Sequence, residues 1–175
     1  MIRLEHFDKK DFDLLISWID SPEFLMQWAG SNFSYPLNHD QLNQYIKGAN
    51  EQNSRVHIYK VIFNETNKTI GHISLNNIDL KNRSARMGKV LLGDNSLRGK
   101  GIGREMVDAL LNIAFNDLSI HRVGLGVFDF NELAIRSYEK VGFVKEGLLR
   151  DVRKMGDEYW SLWEMSILED EWKSN

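Results

Sequence analysis

The sequence predicts a mixed α/β fold, in which about seven strands form a mostly antiparallel sheet that carries about four helices. Three observations predict it: the chain length, a series of β-branched runs joined by polar turns, and one strand–helix–strand succession. At 175 residues the chain can bury a substantial core in one domain. No repeat or low-complexity linker divides it, so we expect a single domain over residues 1–175.

Strands are predicted where apolar residues alternate with polar ones or where β-branched residues run together between turns. The predicted strands are Ile2–Phe7, Val56–Phe63, Thr69–Ile78, Ala85–Gly93, Arg122–Phe128, Phe143–Val152 and Tyr159–Leu168. The last two are expected to form a closing hairpin around the turn Lys154–Asp157.

Helices are predicted where apolar residues recur with a period near 3.6. The predicted helices are Asp11–Ile19, Asn38–Asn50, Gly101–Asn116 and a fourth that opens at Asn131. Both prolines lie in Ser21–Leu37, which reads as a shaped loop or a broken helix. The Gly101 helix lies between two strands, which implies a right-handed parallel crossover.

Composition excludes several classes of protein. No run of 18 apolar residues exists, and acidic residues near the amino terminus do not fit a secretory signal. The chain has no cysteine, which excludes disulfides, a thiol nucleophile and zinc–thiolate sites. A net charge of −3 argues against general nucleic-acid binding. We expect a cytoplasmic protein that binds neither membrane nor nucleic acid, and we expect no metal.

A glycine-rich turn at residues 97–104 is the main functional signal. It reads Leu-Arg-Gly-Lys-Gly-Ile-Gly-Arg and lies between a predicted strand and a predicted helix. Alternating glycines let the backbone approach a ligand closely, and the free N–H groups of a helix N-terminus attract phosphate. Three basic side chains surround the same turn. The sequence therefore predicts a phosphate-binding loop.

Two familiar phosphate loops fail on counting. A P-loop would need glycine where Arg98 stands and serine or threonine where Gly101 stands. A dinucleotide fingerprint begun at Gly99 would need glycine at Arg104. The pattern that fits is [QR]-x-x-G-x-[GA], satisfied by Arg98, Gly101 and Gly103.

The fitting pattern resembles the pyrophosphate loop of the GNAT family, the Gcn5-related N-acetyltransferases. Downstream, Asn131, Ala134, Tyr138 and Gly142-Phe143 stand in the order and spacing of the second family signature. The resemblance covers most of residues 55–168. It is closest to the branch that contains ribosomal-protein-alanine and spermidine acetyltransferases.

This resemblance implies acetyl-CoA as co-substrate, held in a V-shaped splay between the two strands that flank the glycine-loop helix. The thioester would lie near a backbone N–H of the first of these strands. The residues implied as cofactor-binding are Val90, Leu91, Leu92, Arg98, Gly99, Lys100, Gly101, Ile102, Gly103, Arg104 and Asn131. Asn131 could equally be a plain helix N-cap, and one asparagine could do both.

Tyr138 matches the tyrosine that donates a proton to the leaving thiolate in the family. The alternative is a helix tyrosine that packs its ring in the core. For a base, many relatives place a glutamate on the strand before the loop, but Ala85–Gly93 contains no acid. His72 is one candidate base, with a structural histidine as the alternative, and Glu164 is a second. A water chain without an essential base also remains open.

The acceptor side is expected in the segment that contains Trp28, Phe33, Tyr35 and His39. Trp28 and Tyr35 could line the cleft and attract an amine by cation–π interaction. The alternative is that these rings only close the core.

The favoured function is acetyl transfer from acetyl-CoA to a primary amine, either a protein N-terminus or a small molecule. The rival reading is an inert acyl-CoA-binding module on the same fold. Polyamines, aminoglycosides and amino-terminal peptides all remain open as acceptors. The aromatic carboxy-terminal hairpin is a surface through which a homodimer could form, as in relatives.

Overall fold

A computed structural model describes residues 1–174. Its strands are β1 (Ile2–His6), β2 (His57–Phe63), β3 (Lys68–Asp79), β4 (Ser84–Leu92), β5 (Arg122–Phe128), β6 (Val144–Met155) and β7 (Glu158–Leu168). Its α-helices are α1 (Phe12–Ser17), α2 (Pro22–Ala29), α3 (His39–Ile46), α4 (Ile102–Asn112), α5 (Glu132–Val141) and α6 (Glu169–Lys173).

The strands form one seven-stranded sheet in the order β1-β2-β3-β4-β5-β7-β6. Every neighbouring pair is antiparallel except β4 and β5, which are parallel because α4 carries the chain back across the sheet. This confirms the predicted mixed, mostly antiparallel sheet. The closing hairpin inserts its second strand, β7, next to β5 and leaves β6 at the edge.

Two hydrophobic cores cover the two faces of the sheet. The larger contains the apolar side of α4, with Met106 and Leu110 fully buried against the strands. The smaller gathers the helices of the amino-terminal third, including Leu25 and Leu42, around Ile58 of β2. Because strand side chains alternate between faces, β2 supplies Ile58 to one core and Val61 to the other.

The described residues contain two α-helices more than the four predicted, α2 and α6. In α2, Pro22 occupies the first turn and the Ser21 hydroxyl accepts a hydrogen bond from the Phe24 N–H at 3.2 Å. These are favourable start signals, so the interpretation of Ser21–Leu37 as a broken helix is the correct one. α6 is a short helix that directly follows β7.

Two predicted helices end earlier than expected. α3 stops at Ile46 rather than Asn50, because Lys47 is extended and Gly48 has a left-handed φ of 71°. The helix predicted to reach Asn116 leaves α-geometry after Asn112 and continues as a π-turn over Ile113–Asp117. Within residues 1–174, the helices are too short and too polar for any of them to cross a bilayer.

Candidate active site

β4 and β5 pair only where both strands begin, through Ser84–Arg122, Ala85–Val123 and Arg86–Gly124. Beyond these pairs the strands diverge, which confirms the V-shaped splay that the resemblance implied. A narrow cavity of about 70 Å³, here called the slot, opens between them. The slot is lined by Gln27, Trp28, Met87, Gly88, Lys89, Val90, Leu125, Gly126, Val127, Phe128, Asn131 and Tyr138.

A β-bulge in β4 lies beside the slot. Pairing with β3 passes from Ser74–Gly88 to His72–Leu91, so two residues of β4, Lys89 and Val90, oppose one residue of β3. Lys89 has a left-handed φ of 49°. A bulge takes backbone groups out of the regular ladder. Since β5 has already diverged, this part of β4 has no strand partner on the side of the slot.

The glycine loop leads into α4. Gly99 and Gly101 have φ values of 77° and 81°, a region that L-residues other than glycine rarely adopt. A Cβ atom added at Gly99, Gly101 or Gly103 would meet no protein atom within 4 Å, so the space beside the loop is open. The side chain of Ile102 is buried in the larger core, which anchors the loop and presents only its backbone.

The N-terminus of α4 is suited to an anion. Gly101 caps the helix without a side chain, so the N–H groups of the first turn have no side-chain acceptor. Arg98, Lys100 and Arg104 are exposed around it. Arg104 also forms an exposed ion pair with Asp108, with 3.6 Å between Nε and Oδ2.

A second cavity of about 310 Å³, here called the loop cavity, joins the glycine loop to the slot. It is lined by Phe24, Gln27, Trp28, Val90, Leu91, Leu92, Arg98, Asn131, Leu133 and Ala134. The side chain of Leu91 is buried in the smaller core, so its backbone is the part that borders the cavity. The structure therefore brings the predicted strand residues, Arg98 and Asn131 together.

The first half of α5 closes the slot. The Asn131 side chain accepts a hydrogen bond from the Ala134 N–H at 3.4 Å, so Asn131 is an N-cap and also lines both cavities. Tyr138 is partly exposed and lines the slot, with its ring 5.8 Å from that of Phe143. Burial raises the pKa of Tyr138 to about 12. Its phenol therefore keeps its proton at neutral pH.

A third cavity of about 380 Å³, here called the outer cavity, lies on the side of the slot away from the glycine loop. It is lined by Gln27, Trp28, Ala29, Gly30, Asn32, Val56, Asn76, Asn77, Arg86, Met87, Gly88, Lys89, Gly126, Phe128, Leu149, Val152, Arg153, Leu162 and Glu164. Gln27 and Trp28 line all three cavities, so they stand where the cavities meet.

His72 is only 1% exposed and lines none of these three cavities. Its Nδ1–H donates to the Lys89 carbonyl at 2.9 Å, and its Nε2 lies 3.4 Å from the Tyr45 hydroxyl. The Trp28 ring packs edge-on against it at 5.4 Å. Burial lowers the pKa of His72 to about 4. The imidazole is therefore neutral and holds the carbonyl of the β4 bulge.

The predicted aromatic wall is divided by the structure. Trp28 is 8% exposed, lines the cavities and stacks on Phe33 at 5.8 Å between ring centroids. Tyr35 is 46% exposed, donates its hydroxyl to the Asp20 carbonyl at 3.2 Å and lies outside the three cavities. His39 is bound to Asp13 at the surface, 2.6 Å away.

Three charged residues of the outer cavity were not predicted from the sequence: Arg86, Lys89 and Arg153. Lys89 lies inside the strand that was predicted to bind the cofactor. A charged residue among apolar neighbours there was a signal that could have marked it as a site residue. Arg86 and Arg153 come from separate strands, and no spacing along the chain relates them to the site.

Residues 2–144 match the sequence profile of the Acetyltransferase (GNAT) domain. The chain belongs to the GNAT family. It is 28% identical over 171 residues to the uncharacterized N-acetyltransferase p20 of Bacillus licheniformis, which covers 98% of this chain and 94% of that protein. It is 28% identical over 155 residues to aminoglycoside N(6')-acetyltransferase type 1 of Klebsiella pneumoniae, covering 83% and 75% of the two chains.

Among solved structures, the spermidine N-acetyltransferase of Vibrio cholerae in complex with CoA and spermine has the same fold, with a TM-score of 0.84. The identity is 22%, and 98% of each chain is covered. This GNAT protein is thus an N-acetyltransferase, and enzymes of this family use acetyl-CoA. The glycine loop, the uncapped α4 N-terminus and the slot suit a ligand with a pyrophosphate and a long amide-bearing arm.

Proposed function

We propose that this enzyme transfers the acetyl group of acetyl-CoA to a primary amine by direct attack on the thioester. The proposal rests on one observation: two sets of residues lie next to each other at Trp28. One set, the glycine loop and the slot, suits the cofactor, and the outer cavity leaves room for an acceptor. The acceptor would be a small-molecule amine or a protein N-terminus.

The cofactor residues divide by the part of acetyl-CoA that they would hold. The pyrophosphate would bind at the α4 N-terminus, where it would contact Arg98, Lys100, Arg104 and the backbone of residues 99–103. The backbone of Val90–Leu92 and the Asn131 side chain would bind the amide-bearing arm. When bound, acetyl-CoA supplies an activated acetyl group on a thiol that can leave.

Tyr138 would be the proton donor. It lines the slot, and its raised pKa of about 12 keeps the phenol protonated at every pH at which the enzyme would work. A neutral phenol beside the slot can give its proton to negative charge that develops there. A backbone N–H of the β4 bulge would stabilise charge on the carbonyl oxygen.

The proton of the incoming amine would pass to water. His72 is enclosed and does not line the slot, so its hydrogen bond to the Lys89 carbonyl supports a role in positioning the bulge rather than a role as base. Glu164 lines the outer cavity, but both of its oxygens accept hydrogen bonds from Arg86, at 2.8 and 3.1 Å. Both carboxylate oxygens of Glu164 are therefore already engaged by Arg86.

The test is release of free thiol from acetyl-CoA with polyamines, aminoglycosides, amino sugars and amino-terminal peptides as acceptors. Acceptor-dependent release, with the acetylated amine detected by mass spectrometry, is the expected result. Tight acetyl-CoA binding with no release from any acceptor would favour the inert acyl-CoA-binding module instead. The absence of an unpaired carboxylate around the slot in residues 1–174 is the observation that keeps that alternative open.

A further inference from the structure

The outer cavity has an excess of positive charge. Its charged side chains are Arg86, Lys89, Arg153 and Glu164, three cations and one anion. A polyamine acceptor would need free carboxylates to bind its ammonium groups. Glu164 is the one carboxylate among the described lining residues, and Arg86 already occupies both of its oxygens. The cavity is therefore poorly suited to a polycation.

Two buried N–H groups of the same cavity have no acceptor. Within residues 1–174, Arg153 Nε and Trp28 Nε1 are enclosed and unpaired, although each residue lines the outer cavity. Within residues 1–174, the one hydrogen bond of the Arg153 side chain runs from Nη1 to the Val152 carbonyl, at 2.9 Å. Buried donors without partners are rare and costly. Each of these two N–H groups needs an oxygen acceptor, and no residue from 1 to 174 supplies one.

Arg153 lies beside the glycine that ends α2. Gly30 has a left-handed φ of 60°, and a Cβ atom added there would lie 3.9 Å from Arg153 Nε. The guanidinium therefore lies against the end of α2, close to Trp28 in the chain. A cation and an indole donor thus come from different elements to one wall of the cavity.

Lys89 supplies the second unpaired cation. Its ammonium lies 5.1 Å from the centroid of the Tyr45 ring and forms no ion pair with any residue from 1 to 174. Lys89 borders both the slot and the outer cavity, so it stands between the cofactor residues and an acceptor. Burial without a counter-charge lowers the pKa of Lys89 to about 8. A bound anion would stabilise the charged form of Lys89.

We propose that the acceptor is a small primary amine that also carries an anionic group, a carboxylate or a phosphate, bound by Lys89 and Arg153. The Trp28 indole N–H would donate to the same group or to an adjacent oxygen. This inference rests on the proposed function and names its substrate class. Arg and Lys donors bind such groups through charge-assisted hydrogen bonds, which are stronger than neutral ones.

The experiment compares acceptors that differ in the anion. β-Alanine is paired with propylamine, 4-aminobutyrate with butylamine, and phosphoethanolamine with ethanolamine, while spermidine represents the polycations. We expect the anionic member of at least one pair to have a kcat/KM at least about ten-fold above its partner, from one charge-assisted contact. The carboxylate and phosphate pairs separate the two anions. Equal values in all pairs, or a preference for spermidine, would overturn the inference and leave the acetyltransferase function standing.

Variants locate the anion site. Arg153→Gln and Lys89→Gln are each expected to reduce the anionic-to-neutral ratio of kcat/KM toward one. Lys154→Gln is the matched control, because Lys154 is the exposed neighbour of Arg153 on β6 and lines none of the three cavities. If the anionic-to-neutral ratio of kcat/KM is unchanged in both variants, the anion binds elsewhere and the inference is contradicted.

Binding of products keeps the inference testable if no amine is acetylated, an outcome that would contradict the proposed function. Calorimetry of the CoA-loaded protein with N-acetyl-β-alanine and with N-propylacetamide compares the two ligands without turnover. Tighter binding of the anionic product, lost in Arg153→Gln, would support the anion site by itself. Equal affinity for the two products would sink it.

Discussion

Tyr138 and His72 show how burial acts on single titratable residues near the slot. Burial disfavours charge, so it raises the pKa of the phenol to about 12 and lowers that of the imidazole to about 4. Both groups are therefore neutral at pH 7, with different consequences. Tyr138 keeps a proton that it can donate to the slot, whereas His72 uses its one N–H to hold the Lys89 carbonyl.

Replacing Tyr138 by phenylalanine tests the proton donor. Tyr138→Phe should lower kcat by roughly 10²-fold, because the ring remains while the acidic proton is lost. Affinity for acetyl-CoA, measured by calorimetry, should change far less. Tyr159→Phe is the control, because Tyr159 is exposed on β7 and lies outside the slot. Turnover at the wild-type level in Tyr138→Phe would return Tyr138 to a packing role.

The lowered pKa of His72 predicts how the free energy of unfolding changes at acid pH. Its folded pKa of about 4 lies below the ordinary 6.5, so between these values the unfolded chain binds a proton that the folded chain does not. Stability should therefore fall as pH decreases from about 6.5 to 4, by up to about 3 kcal/mol. Urea unfolding between pH 7 and 4 measures this slope.

His72→Gln should flatten that slope, since glutamine does not titrate. If the free energy of unfolding depends on pH in the same way in wild type and His72→Gln, other groups control acid unfolding.

At the scale of elements, β4 and the loop after it do most of the positioning. β4 pairs along β3 on one side, leaves β5 after Arg86 on the other, and bulges at Lys89. Its end is held by a hydrogen bond from the Gly93 N–H to the Ile70 carbonyl, at 2.8 Å. A 3-10 turn over Asn95–Leu97 connects this end to the glycine loop, so the position of the loop depends on this anchor.

A charge placed in the glycine loop should prevent cofactor binding. Gly101→Glu is expected to abolish acetyl-CoA binding, because a carboxylate would face the pyrophosphate at the α4 N-terminus. Gly101→Gln is the matched control, because both variants strain the same left-handed φ of 81° and differ only in charge. Calorimetry should show weakened but measurable binding in Gly101→Gln. Unchanged affinity in Gly101→Glu would remove the loop from the cofactor site.

The end of β4 should not tolerate a methyl group. A Cβ atom at Gly93 would lie 2.0 Å from the Trp18 ring, so Gly93→Ala must displace the indole or the strand. We expect a loss of about 1–3 kcal/mol in the free energy of unfolding. Gly147→Ala is the control, since a Cβ there meets nothing within 4 Å. Thermal and urea unfolding measure both, and equal stability of the two variants would contradict the packing argument.

For the whole molecule, the site lies where the sheet opens between its two cores. The larger core holds α4 and α5 on one face, and the smaller holds α2 and α3 on the other. The glycine loop and Tyr138 belong to the first side, and Trp28 belongs to the second. A ligand in the slot would therefore contact both sides at once.

Binding of acetyl-CoA should accordingly stabilise the whole fold and protect the open strands. At 100 times the dissociation constant, ligand binding adds about 2.7 kcal/mol to the stability of the native state. Hydrogen exchange should slow more at residues 87–92, 125–128 and 131–138 than in β1 and β2, which report only the stabilisation of the whole fold. Greater protection in β1 and β2 than in these three segments would argue against the slot as the binding site.

Local patterns along the chain were enough to predict the elements and the family. Periodicity and turn residues are local properties, so the seven strands and the helices before and after the glycine loop were predictable within a few residues. The two signatures, around Gly101 and around Tyr138, were predictable for the same reason, because each lies within one continuous segment.

The charge of the acceptor side, in contrast, follows from how distant segments pack together. Arg86, Arg153 and Glu164 come from β4, β6 and β7, and the order β5-β7-β6 with its register brings them into one cavity. The same holds for His72, whose burial depends on Trp28 from α2 and Tyr45 from α3. Side-chain pairing across strands and helices depends on long-range packing, which no local pattern along the chain specifies.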